Sequence, residues 1–256
     1  MTLLTNYLNI LYCCSYIDNF EIIVRFKTKG VFKMYKLFKN KYCSKENGMY
    51  ISYQRLFWLF LFGSLAGVVI EGIFCVFKYG HWETHVVSVW GPLCIIYGLG
   101  AAGCYSMYVI LKDKGIFTQF CSFAFVGFLL ELVCGSIMRN KLGMKAWTYN
   151  KHFMNYKGIV SLKMTIAWGF IGIAFTFLIP YIEKMFNSMK SANWALACKV
   201  LTVVLIFDFA ITAAVLVRWS ARHFDIPAMN KFEQFLDYKY DDSFMEKRFC
   251  EWKFLE

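Results

Sequence analysis

Five apolar runs, each about twenty residues long, constrain this chain more than any other feature. They lie at roughly 56–77, 92–111, 116–138, 160–180 and 195–217. At about 1.5 Å of rise per residue, a helix of this length matches the roughly 30 Å hydrocarbon core of a bilayer. Charged or turn-forming residues close the runs, as in Lys112-Asp113-Lys114-Gly115. Trp58, Trp82, Trp90, Trp147, Trp194 and Trp219 sit near their ends, where interfacial aromatics belong. The composition agrees: 59% hydrophobic and 20% aromatic residues with a mean hydropathy of +0.45 give more apolar surface than one soluble core of 256 residues needs. The expected fold is all-α, a polytopic transmembrane helix bundle of about five spans.

Four regions follow from the pattern. Residues 1–55 form a basic leader, with Arg25, Lys27, Lys29, Lys33, Lys36, Lys39, Lys41, Lys45 and Arg55 against the single acid Glu46 after residue 24. That leader suits anionic headgroups, and a true translation start at Met34 or Met49 is the open alternative. Residues 56–185 hold a four-helix core, 186–219 a fifth transmembrane helix, and 220–256 an extramembrane amphipathic tail. The leader ahead of the first span favours a cytoplasmic N-terminus. The loop carrying Arg139, Lys141, Lys145, Lys151 and Lys157 argues the other way.

The formal charge of +11 does not indicate nucleic acid, because the basic residues flank apolar runs, where membrane proteins keep them. No G-x-x-x-x-G-K-[ST] loop occurs, so an ATP-driven step requires a separate ATPase subunit. Six of the ten cysteines, Cys75 among them, fall inside apolar runs, where a thiol behaves as a small hydrophobe. No catalytic constellation or cofactor motif is legible, so the chain is not expected to be an enzyme. His81-Trp-Glu-Thr-His85 spaces two histidines about a turn apart around Glu83. It is not H-E-x-x-H and lies in a short loop, so it reads as an interfacial anchor and no metal is expected.

The first and third runs share a motif. Gly67-Val-Val-Ile-Glu71 and Gly127-Phe-Leu-Leu-Glu131 occupy the same position within their runs, and each leads through a Trp-containing loop to another span. Both runs cross in one direction, so the first four spans read as a parallel two-helix repeat with the glutamates at similar depth. Glycine four residues before glutamate shares its helix face and lets a neighbour approach beside the acid. A carboxylate at the bilayer centre costs about 2.5 to 3.5 kcal/mol on insertion scales, so two at equivalent positions call for an explanation. Either they bind a cation, a proton or a basic substrate group between the repeats, or they fasten the bundle through backbone, Lys163 or Lys199.

Asp208 lies deepest, inside Val203-Val-Leu-Ile-Phe-Asp208. It could complete a three-carboxylate cavity or fasten the fifth helix. Gly91-Pro92 opens the second span, a normal place for proline, and Gly98 and Gly100 suit close packing within it.

In order, Gly67-x-x-x-Glu71, Gly91-Pro92-Leu-Cys-Ile-Ile-Tyr97-Gly98-Leu-Gly100, Glu131, Trp147-Thr-Tyr149, Asn155-Tyr-Lys-Gly158 and Trp168-Gly169 resemble the ABC-transporter type IV family of bacterial polytopic membrane proteins, also called ABC transporter permeases. The resemblance covers roughly residues 55–185 and leaves the leader, the fifth span and the tail outside it. Where the family has W-D-Y-S, this chain has Trp147-Thr148-Tyr149-Asn150, and Ile95 replaces a usual proline. The resemblance implies a multi-pass protein of a bacterial cell membrane with a permease role. Gly67, Gly127, Gly91, Pro92, Tyr97, Gly98, Gly100, Trp147, Tyr149, Asn155, Gly158 and Trp168 are then the structural or gating candidates. Glu71, Glu131 and Asp208 are the candidates for substrate or ion binding. The expected partners are the lipid bilayer and a separate ATPase subunit, with homo-oligomerisation open. A scaffold or regulator without transport, and an intramembrane enzyme on lipid-linked substrate, are the alternative functions.

Overall fold

The computed structural model describes residues 48–255 except Thr84, so the leader before residue 48 lies outside the described residues. Each of the five apolar runs is helical: α1 Tyr53–Tyr79, α2 Ile95–Leu111, α3 Ile116–Leu142, α4 Leu162–Thr176 continued by α5 Ile179–Ser188, and α6 Ala192–His223. Two short helices follow, α7 Lys231–Lys239 and α8 Asp242–Arg248. The strands β1 Met144–Lys145, β2 Asn155–Tyr156, β3 Val160–Ser161 and β4 Lys253–Phe254 have two residues each. The protein is an all-α bundle.

The helix ends follow local chemistry. Ser52 caps α1 by accepting from the Arg55 amide at 3.3 Å, and Ser161 caps α4 in the same way through Met164. Gly80 and Gly143 end α1 and α3 in the left-handed conformation that only glycine adopts without strain.

Three helices, α1, α3 and α6, are long and apolar enough to cross a membrane, and α4 with α5, bent by 54°, passes the same test as a pair, the signature of a broken span or a re-entrant loop. The bend falls at Phe177-Leu178, just before Pro180, whose ring cannot continue a straight hydrogen-bond ladder. At 17 residues α2 is shorter than α1, α3 and α6, because the chain from Val86 to Cys94 reaches it as a partly buried, non-helical segment bent at residues 89–91. The Val87 amide donates to the Leu93 carbonyl and the Cys94 amide to the Ser64 carbonyl of α1, so this segment keeps its polar groups paired inside protein.

The closest pairings are α1 with α2 and α3 with α4, with α2 against α3 joining the two pairs. Helix α6 packs on α1, and the tail packs on the end of α6. The loops after α1 and α3 and the tail meet at one end: Arg248 donates to the Ser88 and Gly91 carbonyls, and β4 pairs antiparallel with β1. Trp219, Leu236, Met245, Phe249 and Trp252 form a buried core there. At the other end Arg55 pairs with Glu183 of α5 at 2.9 Å, and the Tyr105 hydroxyl donates to the same carboxylate at 2.7 Å. The loops after α1 and α3 therefore share an end with the tail after α6. Outward residues such as Val69, Ile73, Phe77, Phe170, Val203 and Phe207 leave an apolar exterior suited to lipid.

Candidate functional site

The two G-x-x-x-E motifs occupy equivalent environments. In the first helix pair, a Cβ on Gly67 would overlap the Tyr97 ring from α2, and the Tyr97 hydroxyl donates to Glu71 Oε1 at 2.6 Å. In the second pair, a Cβ on Gly127 would overlap the Trp168 ring from α4, and the Trp168 indole N–H donates to Glu131 Oε1 at 3.1 Å. In both, glycine admits an aromatic ring from the next helix, and the glutamate one turn later accepts that ring's polar hydrogen. The i, i+4 spacing makes this possible, since it stacks the two positions on one face. The two aromatics also meet, with the Tyr97 and Trp168 ring centroids 6.5 Å apart.

The glutamates differ in what else they hold. The Tyr149 hydroxyl, from the loop after α3, adds a second donor to Glu131 Oε1 at 2.9 Å, while Glu131 Oε2 is buried with no partner among the described residues. Glu131 is 3% exposed, so this carboxyl sits where an unpaired oxygen is costly unless it carries a proton or meets a cation or water. Lys163 and Lys199, weighed above as partners of the intramembrane acids, pair with no acid among the described residues.

The loop that delivers Tyr149 is organised by Trp147, Asn155 and Gly158. Trp147 donates to the Ile159 carbonyl at 2.9 Å, and Asn155 bridges the His152 carbonyl and the Gly158 amide. Gly158 is left-handed at φ 66°, and a Cβ there would strike Thr148 and Asn150. Arg139 closes the loop from α3 by donating to the Trp147, Lys157 and Gly158 carbonyls. Its position at a helix end reads as a topology charge, so sequence reasoning passed over this role.

Asp208 does not join Glu71 and Glu131 but clamps the bent, non-helical segment before α2. It accepts from the Ser88 hydroxyl and, at 3.2 Å, from the Trp90 amide, while Thr212 one turn on accepts from the Val89 amide. Gly91 donates to Ser88 Oγ, so Gly91-Pro92 is held at the mouth of α2. Gly98 faces Phe60 and Ser64 of α1, and Gly100 faces Trp168; both lie within continuous helix and serve close packing. The Ser88 and Arg248 contacts were not legible, because neither residue stands out in its own segment.

A membrane-spanning helical bundle whose core is a duplicated helix pair, each pair carrying a glycine-seated aromatic on an intramembrane glutamate, is the class this geometry defines. The chain belongs to the family described as putative ABC-transporter type IV, whose model matches residues 58–213. The match runs past residue 185 and through Asp208, so α6 belongs to the family's body rather than lying outside it. No curated protein and no solved structure matches the chain.

Proposed function

We propose that the protein is the permease component of a transporter, with a proton or cationic group bound at Glu131 between the two helix pairs. The carrying observation is the buried Glu131 carboxyl, with one oxygen held by Tyr149 and Trp168 and the other without a partner. A buried carboxyl oxygen without a partner is satisfied by a proton or a cation, and intramembrane acids mark ion and proton pathways. The family supports a transport role, and because the sequence has no P-loop, this reading assigns any ATP-driven step to a separate subunit. Glu71 serves as the matching acid of the first pair. The N-terminus is cytoplasmic in this reading, and the protein resides in a bacterial cell membrane.

Proteoliposomes holding a pH-sensitive dye test the site. Wild-type protein is expected to carry a proton flux or a cation-for-proton exchange, Glu131→Gln to abolish it, and Tyr149→Phe to slow it. Equal fluxes through wild type and Glu131→Gln overturn the proposal. Retention of a nucleotide-hydrolysing subunit during purification in mild detergent supports the assignment of the energy source.

A further inference from the structure

On α1, Cys75 follows Glu71 by one turn on the same face, near the helix end that leads into the next loop. That loop folds back onto them. Gly80 reverses the chain at φ 78°, and Trp82 packs so closely on Gly72 that a Cβ there would overlap its ring. His85 has φ 44°, a left-handed backbone that is strained for a side chain of this size and that persists only where the surroundings enforce it. The result brings three different donors to one point: Cys75 Sγ lies 3.3 Å from His85 Nε2, His85 Nε2 lies 3.2 Å from Glu83 Oε2, and Cys75 Sγ lies 3.6 Å from Glu83 Oε2. Donor atoms of Glu71, Cys75 and His85 also lie within 4.8 Å of one another.

We propose that Cys75, Glu83 and His85, with Glu71 as the fourth donor, form a binding site for a divalent cation of the zinc class. Tetrahedral bonds of about 2.3 Å to sulfur and about 2.0–2.1 Å to nitrogen or oxygen set donors about 3.3–3.6 Å apart, which is the triangle found here. A thiolate, an imidazole and carboxylates together select zinc over magnesium or calcium, which take oxygen donors. The carboxylates are also oriented. Glu83 Oε1 lies 3.0 Å from His81 Nε2, leaving Oε2 for the site, and the Tyr97 hydroxyl holds Glu71 Oε1 at 2.6 Å. Such outer contacts fix ligands in the pose that binding requires. Cys75 is buried while Glu83 and His85 keep about a quarter of their side chains exposed, so the ion enters from the loop side. In this proposal His81-Trp-Glu-Thr-His85 supplies metal ligands where the sequence reads as an interfacial anchor. The missing donor, Cys75, stood six residues upstream within an apolar run.

The test is Co²⁺ titration of the full-length protein purified in detergent without metal. One equivalent should bind with the intense visible bands of a four-coordinate ion and a sulfur-to-cobalt charge-transfer band, and Zn²⁺ should displace it. Cys75→Ser should remove the charge-transfer band, Cys250→Ser should leave it, and Glu83→Gln or His85→Ala should weaken affinity by about 10- to 100-fold. If Cys75→Ser does not fold, the Glu83→Gln variant in the exposed loop decides. Substoichiometric Co²⁺, an unchanged band in Cys75→Ser, or wild-type affinity in Glu83→Gln and His85→Ala overturns the site. Glu131→Gln should bind Co²⁺ like wild type, which separates this site from the transport reading.

Discussion

Trp168 fills the space that a side chain on Gly127 would need, and from that seat its indole donates to Glu131 one turn further along α3. Close approach and polar pairing are thus one arrangement. Tyr97 repeats it on Gly67 and Glu71, which makes the two helix pairs copies in chemistry as well as in sequence.

Adding a methyl group at either glycine should separate a helix pair. Gly127→Ala and Gly67→Ala are each expected to destabilise the protein by about 1–3 kcal/mol through overpacking, because the overlapping atoms belong to rigid rings. Gly115→Ala, where no atom lies within 4 Å of the new Cβ, is the neutral comparison. Thermal unfolding in one detergent measures all three, and equal midpoints would remove the packing argument.

The Tyr149 hydrogen bond to Glu131 should be separable from bulk packing. Tyr149→Phe keeps the ring but loses the donor, with an expected cost of about 0.5–1.5 kcal/mol if the carboxyl carries a proton and about 1.5–3 kcal/mol if it is ionised. A double-mutant cycle with Glu131→Leu, which offers no acceptor, reads the coupling directly; additive effects would mean the two side chains do not interact.

Asp208 should hold the segment before α2 rather than act in the transport step. Asp208→Ala leaves the Ser88 hydroxyl and the Trp90 amide without their acceptor, at about 1–3 kcal/mol for each group that stays buried. Hydrogen exchange in residues 86–94 is expected to speed up, with exchange around Glu131 unchanged. Unaltered protection in 86–94 would contradict the clamp.

Tail docking should depend on acid pH. Arg218 binds Asp237 through two hydrogen bonds, at 3.0 and 2.7 Å, and Arg222 adds a third at 2.6 Å. These contacts, that from Arg218 foremost, hold the Asp237 carboxyl below its ordinary value of 3.8. A carboxyl depressed in the folded state stabilises it fully above the unfolded value and loses that contribution as pH falls through the folded one. The near-ultraviolet circular dichroism of buried Trp219 and Trp252 should therefore change with a midpoint below 3.8, and Asp237→Asn should remove that transition. An identical acid profile in the variant would assign the transition to other groups.

By itself the sequence determined the membrane class, the five apolar helices and the two G-x-x-x-E motifs, because run length and i, i+4 spacing are local properties of a helix. Tertiary structure decided what each acid contacts. Glu71 and Glu131 meet aromatics from the following helix, while Asp208 reaches back 120 positions to Ser88, a pairing that no local pattern encodes. The same holds for Cys75. Within its run it is one more small apolar residue, and it gains Glu83 and His85 as neighbours only because Gly80 and Trp82 turn the loop back onto α1. Periodicity reports which face a residue occupies; which partner arrives there depends on chain reversals and close approaches that bring distant segments together.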